Sequence, residues 1–501
     1  MNPLNASAES LAAAYLADGS LPPLPQGHWI DGAECPAASG ATLESLDPGL
    51  ARPLAEFAAG DAEDVDRACQ AAARGLAVWR RSAPGARAQV LRAMATLLRQ
   101  RVGWLAVVDS LDSGKTLAEA QGDVISSARL FEYYAGHAET LEGASIPIGP
   151  DHMSWTLREP VGVTAHVIPW NYPTSTFARG IAPALAAGCS VVAKPAETSP
   201  FTALLMARWL VEAGLPPGVV NVVTGLGSTA GAALVAHPLV RHVTFTGSVP
   251  TGVRVAQAAA PQIASLTLEL GGKSPLVALS DCDVEAAAEG ALWAIYSNAG
   301  QVCSAGSRLV VQRAVHEPLL AALLRRTRAL RVGHGLRNPD MGAIHSAQQL
   351  HRIAAMVDGA RARGREVLAG GSMGADEAAD TGWFYRPTIL DDLPPDDPCV
   401  REEIFGPVLA VQVVDDDAQA LAAANGTDYA LMAGIYSRDI GRALRLARDI
   451  DAGQVTVNDY WAGGVQVPFG GNRHSGYGRE KGSEGLSAYL VTKAITARIQ
   501  S

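Results

Sequence analysis

Residues 161–195 run VGVTAHVIPWNYPTSTFARGIAPALAAGCSVVAKP, and their order decides the fold. Val161–Ile168 is a short run of apolar and β-branched residues, the types that suit a pleated strand. Pro169 and Pro173 then interrupt the backbone donors and fix the path of the chain. A segment of helical length follows, and Ser190–Lys194 is a second β run. Further β runs at Val219–Val223, His242–Phe245 and Leu266–Leu268 continue the alternation. One intervening helix is well punctuated, with Ser199 expected as N-cap, Pro200 at its first position and Gly214 at its end. Strands alternating with helices predict an α/β fold with a doubly wound parallel sheet.

Working outward, residues 1–27 are small and Pro-rich and predict a loosely attached arm, and His28–Phe57 predicts short strands and turns. A helix is expected from Asp64, Val65 and Ala68 to about Trp79. Val90, Leu91, Met94, Leu97, Leu98, Val102 and Leu105 recur at three- and four-residue spacing, which predicts one long amphipathic helix, with more helix through Tyr134. Pro147–Pro160 predicts a projecting hairpin. From about Gly272 a second α/β region begins, with strands expected at Leu309–Gln312, Tyr385–Leu390, Val408–Val414, Leu431–Tyr436 and Gln454–Val457. The last fifteen residues alternate apolar and polar, as an extended strand joining another sheet would.

A chain of 501 residues exceeds what one core supports, so two or more domains are expected. A formal net charge of −10 argues against a nucleic-acid or anionic-membrane partner. The six cysteines are scattered with no CxxC, and the eleven histidines include no HExxH, so neither a disulfide framework nor a metal site is expected. A reducing, cytoplasmic setting fits that usage. The opening residues lack a basic segment followed by an apolar run, so no signal peptide is expected, and no run of about 18 apolar residues suggests a membrane span.

The chemistry centres on Asn298–Arg308, NAGQVCSAGSR, with Cys303 in its middle. Gly300, Ala305 and Gly306 leave room over the sulfur, and Gln301, Ser304 and Ser307 are neutral and polar. That setting predicts a thiol without an apolar wall to raise its pKa and so a nucleophile. Leu268–Pro275, LELGGKSP, places Glu269 before a double glycine. A thiol and a carboxylate base on separate loops form a hydrolytic acyl-enzyme layout. No GxGxxG is present, because Gly225-Leu226-Gly227 is followed by Gly231, one position late. Thr246–Gly252, TGSVPTG, instead follows a strand and opens a helix, a place for an anion or simply a turn. Lys194 and Glu197 stand at the carboxyl end of the second strand, where ligands of open sheets lie, or form a solvated pair. Asn171 offers an amide N–H to a developing oxyanion, or caps the turn before the next helix.

Together these stretches resemble the aldehyde dehydrogenase superfamily, in its NAD(P)-dependent, hydrolytic, non-acylating branch, over roughly residues 28–495. The resemblance implies a Rossmann-like cofactor domain (1–141 and 161–271), a second α/β catalytic domain (272–486) and a small β oligomerisation arm (142–160 and 487–501) in a homodimer or homotetramer. It implies Cys303 as nucleophile, Glu269 as base and Asn171 as oxyanion donor. It places NAD along Ile168, Pro169 and Trp170, with Lys194 and Glu197 at the adenosine ribose and Gly231 nearby. Thr246, Gly247 and Ser248 fall at the pyrophosphate, and Gly271, Glu403 and Phe405 at the nicotinamide side. Glu197 would repel a 2′-phosphate, which favours NAD over NADP.

The implied substrate pocket comprises Tyr172, Arg179, Ser297, Val302, Ser304, Tyr460, Trp461 and Phe469, with Ser175, Thr176 and Asp459 beside them. Arg179 matches a carboxylate-binding arginine of succinate-semialdehyde dehydrogenases, which points to an ω-semialdehyde acid, or it anchors a helix to the sheet. Asp459 points instead to an aminoaldehyde or a betaine-aldehyde-type substrate. Gly180 departs from relatives that carry a lysine there, which puts a lysine-to-Glu480 proton relay in doubt. A catalytically silent structural relative would usually lack the nucleophile or the base, and both are present. A cofactor-free thioesterase is the other alternative.

Overall fold

The alternation of β runs and helices is realised as an eight-stranded sheet in a computed structural model that describes residues 6–499. Its strands lie in the order Ala33–Cys35, His28–Ile30, Val220–Val222, Ser190–Pro195, Val163–Ile168, Val240–Thr246, Ser265–Glu269 and Gly476–Tyr477. The central five run parallel, and the strands at both edges pair antiparallel. The chain moves one way from Val163–Ile168 through the next two strands, then returns to its other side with Val240–Thr246. The carboxyl ends of these two neighbours therefore form a topological switch point, the crevice where open α/β sheets take ligands. A second, seven-stranded sheet is built from Val367–Ala369, Thr388–Leu390, Val408–Val414, Arg308–Gln312, Pro275–Ala278, Met432–Tyr436 and Gln454–Val457. Only its first pair is antiparallel.

The helix Pro173–Ala187 is almost wholly buried, with Phe177, Ile181 and Leu185 in the core. Each such side chain contributes about 1.5–3 kcal/mol on leaving water. Close packing decides one residue. A Cβ on Gly180 would fall 2.4 Å from Nδ1 of His166, on the neighbouring strand. The imidazole occupies the volume that any larger side chain at 180 would need.

Three sequence expectations are corrected and a fourth is extended. The loose N-terminal arm is instead a helix, Ala8–Asp18, whose Leu11, Ala12 and Tyr15 are buried; residues 1–5 of that arm lie outside the described residues. Tyr15 ties it down by donating to Asp47 Oδ2 at 2.8 Å. The long amphipathic helix is two, Pro84–Gln100 and Val102–Ser113, broken at Arg101, whose backbone leaves helical geometry at φ −113° and ψ 19°. Ser199 does not cap the next helix. That helix spans Phe201–Glu212, Pro200 is its cap residue, and the buried Asp112 carboxylate accepts the Phe201 N–H at 3.1 Å. The segment around 147–160 does turn back on itself, with Ser145 bridging Trp155 antiparallel and the Ile146 N–H donating to the Ser154 carbonyl at 2.8 Å, and it gains a further partner. His152–Pro160 pairs antiparallel along its whole length with Leu490–Arg498, the C-terminal strand that was expected to join another sheet. The last two residues of that arm, 500 and 501, lie outside the described residues. Among the described residues no helix is long and apolar enough to cross a membrane.

Candidate active site

The loop carrying Cys303 follows the helix Val284–Tyr296, and it turns sharply. Asn298, Ala299 and Gly300 are successively left-handed, at φ 48°, 53° and 72°. Two non-glycine residues in that region carry strain, which persists only where surrounding bonds over-determine it. They do so here. The Asn298 N–H donates to Glu119 Oε1 at 2.6 Å, and its side-chain amide donates to the Asn171 carbonyl at 3.1 Å. Gln301 donates to the Asn298 and Ala343 carbonyls, both at 3.2 Å, and accepts the His345 N–H at 2.8 Å. Gly272 lets the loop after Glu269 come close, since a Cβ there would stand 2.2 Å from the Cys303 carbonyl oxygen. Asn171 Nδ2 donates to the Gln301 carbonyl at 2.9 Å, which fixes the amide plane and leaves one N–H uncommitted.

Cys303 stands in the wall between two cavities. One, of about 180 Å³, opens at the switch point. Pro169, Trp170, Asn171, Thr246, Gly247, Ser248, Glu269, Gly271, Glu403 and Phe405 line it with the cysteine. Gln349 and Arg352 also line it and were missed, because each sits in an ordinary helical segment with no local signature. The other cavity, of about 250 Å³, is lined by Tyr172, Ser175, Arg179, Val302, Cys303, Ser304, Trp461 and Phe469. Asp123, Met432, Gln454 and Lys481 belong to it as well, and no motif pointed to them.

Other expected residues fall elsewhere. Ser297 is turned back on its helix and donates to the Trp293 carbonyl at 2.7 Å, so it is not in the pocket lining. Tyr460 is buried behind the loop, where its hydroxyl donates to the Ser304 carbonyl at 2.7 Å; it supports the wall without facing the cavity. Thr176 and Asp459 are also outside the lining, and Asp459 accepts the Trp461 N–H at 3.1 Å. Ile168, Lys194, Glu197 and Gly231 lie beyond the first cavity. Lys194 pairs with Glu197 at 3.2 Å, and Gly231 passes close over the lysine stem, where a Cβ would meet Cδ at 3.4 Å.

The electrostatics are dominated by burial. Glu269 is 1 % exposed and neither carboxylate oxygen has a partner. Desolvation holds its carboxyl well above the usual range, and Glu480 adds to this while Arg179 opposes it. Cys303 keeps some contact with solvent through the cavities, yet burial pushes its thiol up to about 12, with Arg179 as the chief counterweight. The expected absence of an apolar wall is therefore corrected: small neighbours let other chain segments close around the sulfur. Glu403 is raised to about 7 by burial although Gly272 N–H donates to it at 2.9 Å. Arg179 is ion-paired with Glu480, and its guanidinium lies 4.7 Å from the Phe469 ring centroid. Lys115, fully buried, pairs with Asp123 at 2.5 Å and lies 4.3 Å from the Tyr172 ring centroid.

The first cavity suits a dinucleotide. Gly247 and Ser248 present backbone at the start of the helix Val249–Ala259, where N–H groups and the helix dipole favour phosphate. The Thr246 hydroxyl is buried there without a partner, an orphan that a bound group can satisfy. Glu403 offers carboxylate oxygens to hydroxyls, and a Cβ on Gly271 would fall 2.4 Å from one of them, so only glycine leaves that acid its place.

Comparison with known proteins agrees with this geometry. The sequence profile of the aldehyde dehydrogenase family matches residues 35–495. A hydroxyisobutyraldehyde dehydrogenase from Mycolicibacterium austroafricanum is 40% identical over 473 residues, which cover 94% of each chain. Among solved structures, a betaine aldehyde dehydrogenase from Staphylococcus aureus in complex with NAD+ superposes with a TM-score of 0.94 at 35% identity, covering 99% of this chain and 98% of that one. An NAD-dependent aldehyde dehydrogenase from Sinorhizobium meliloti superposes with a TM-score of 0.93 at 36% identity, covering 95% of each.

Proposed function

The chain belongs to the aldehyde dehydrogenase family, and from that premise we propose how its residues divide the reaction. The protein oxidises aldehydes and uses NAD. When bound, NAD supplies the hydride acceptor. In this reading Thr246, Gly247 and Ser248 receive its phosphates, Glu403 and Phe405 flank the nicotinamide end, and Lys194 and Glu197 take the adenosine ribose. The sulfur of Cys303, as thiolate, bonds to the aldehyde carbon. The free Asn171 N–H and the Cys303 backbone N–H donate to the oxygen that becomes negative. After oxidation the acyl group remains on sulfur as a thioester. Glu269 takes a proton from water, which attacks the acyl carbon and releases the acid. The observation that carries this assignment is the position of Cys303 in the wall common to both cavities. Cys303→Ala should abolish NADH formation with every aldehyde, and residual NADH at more than about a thousandth of the wild-type rate would require another nucleophile.

Residues 1–141 and 161–271 are assigned to the cofactor domain, 272–486 to the catalytic domain, and 142–160 with 487–501 to an oligomerisation arm. The exposed apolar residues Met153, Leu157 and Val491 on the arm support assembly into a homodimer or homotetramer. Six free cysteines support a cytoplasmic setting. For substrate, we favour a small aldehyde that carries a carboxylate at its far end. Arg179 has its own carboxylate in Glu480, so it fits the helix-anchoring role better than substrate binding. The betaine aldehyde dehydrogenase among the relatives favours a cationic aldehyde as the second reading. A panel of acidic, cationic, aromatic and aliphatic aldehydes, assayed with NAD and NADP, decides between them.

A further inference from the structure

We propose that Lys481 is the group that recognises the far end of the substrate, pairing its ammonium with the carboxylate of a short aldehyde acid. This rests on the reading that the 250 Å³ cavity beside Cys303 receives the aldehyde. Three charged side chains line that cavity, and two are already engaged. Asp123 is held by Lys115 at 2.5 Å, and Arg179 is ion-paired with Glu480, which is 3 % exposed. Among the described residues Lys481 alone of the cavity cations has neither an ion pair nor a hydrogen bond. Its Nζ lies 5.2 Å from the centroid of the Phe469 ring, a wall of the same cavity. The Glu480 and Glu269 carboxylates act on this ammonium through space, but neither bonds to it, so in a partly desolvated pocket it still has room for a directly paired anion.

The backbone holds the lysine in place. Lys481 is left-handed at φ 58°, a conformation that costs energy for a side chain and survives only where neighbours impose it. They are present on both sides. Glu480 and Phe469 exchange two backbone bonds of 2.7 Å, the Gly482 N–H donates to Val465 at 2.9 Å, and the Gly485 N–H donates to the Lys481 carbonyl at 2.9 Å. Burial and the neighbouring Arg179 lower the ammonium to about 8, so at pH 7 roughly nine in ten molecules carry the charge. A single ammonium matches a singly charged carboxylate. A phosphate dianion would call for more cations than the cavity offers.

The test compares 4-oxobutanoate with its methyl ester, which has the same aldehyde and chain but no charge. The readout is the ratio of their kcat/KM values, so partial misfolding of a variant cancels. The wild type should favour the acid. Lys481→Met should lower that ratio by about 10- to 100-fold, chiefly through the KM of the acid, and Lys481→Arg should keep most of it. If the wild type favours the acid and Lys481→Met leaves the ratio unchanged, or lowers both substrates equally, the assignment to Lys481 is wrong while the substrate class stands. A wild type indifferent to the charge, or one that prefers a cationic aldehyde, overturns the substrate class and this proposal with it.

Discussion

The buried thiol makes a quantitative prediction about reactivity before any substrate arrives. With Cys303 at about 12, the thiolate at pH 8 is roughly one molecule in 10⁴, against about one in four for an ordinary cysteine near 8.5. That is a deficit of about 2,500-fold in the reacting species. A more basic thiolate is the better nucleophile, with a Brønsted slope of about 0.4–0.5, and over the 3.5 pH units between the two thiols this returns about 25- to 55-fold. Alkylation of Cys303 by iodoacetamide in the cofactor-free enzyme should therefore run about 50- to 100-fold slower than that of a small free thiol at the same pH. It should also rise close to tenfold per pH unit from 7 to 10 without a plateau. Peptide mass mapping separates Cys303 from the other five cysteines and gives the rate directly. The ionised Glu269 carboxylate opposes the thiolate, so Glu269→Gln should speed alkylation at high pH. A rate that saturates with a midpoint at or below 8.5 would refute the argument, because the sulfur would then be solvated well enough to ionise normally.

Three further outcomes follow from the same geometry. Glu269→Gln should still release about one equivalent of NADH per active site on mixing, while steady-state turnover falls at least about 100-fold; normal turnover would identify a different base. The same variant should alter stability with pH. The folded state keeps the Glu269 proton to higher pH than the unfolded chain, so wild-type stability drops as pH rises from about 4.3 toward the raised folded value. Glu269→Gln should match the wild type near pH 4 and exceed it by about 1–3 kcal/mol once the acid is ionised, in urea midpoints; no gain at high pH would mean that the carboxylate is not desolvated. Gly180→Ala should cost about 1–3 kcal/mol, because the new Cβ falls 2.4 Å from His166 Nδ1, and adding His166→Ala should recover part of it; additive losses would disprove the steric coupling.

Much of the fold was legible because its signals are local. Val408–Val414 and Gln454–Val457 appear at their expected bounds, since β-branched runs closed by turn residues are unambiguous. The break at Arg101 was not legible: the apolar spacing passes straight through it, and the direction of the next helix is set by tertiary packing. Cys303, Glu269 and Asn171 were singled out because chemistry at a turn leaves glycine and proline around it. Lys481, Asp123, Gln349 and Arg352 were not, for a physical reason. Asp123, Gln349 and Arg352 reach their cavities from segments whose local sequence is ordinary, and Lys481 stands just past the glycine-dense 475–480 run, so only the meeting of distant elements gives each its meaning. Tyr460 and Ser297 show the converse, since adjacency to a pocket loop says nothing of which way a side chain turns.

The glycine at 180 shows how such local facts combine. The space that a side chain there would need belongs to His166, which donates to or accepts from Thr164 at 2.9 Å and stacks on Tyr489. Burial lowers that imidazole to about 3, so it is neutral and adds no cation to this region. The buried Glu480 still needs a cation, because an unpaired carboxylate in that position costs several kcal/mol. Arg179, one residue earlier on the same helix, supplies it. The consequence reaches the cavity beside Cys303: a guanidinium spent on an internal acid is no longer free to receive an external one. The charge that remains uncommitted there is carried by Lys481, on the segment that follows Glu480 itself.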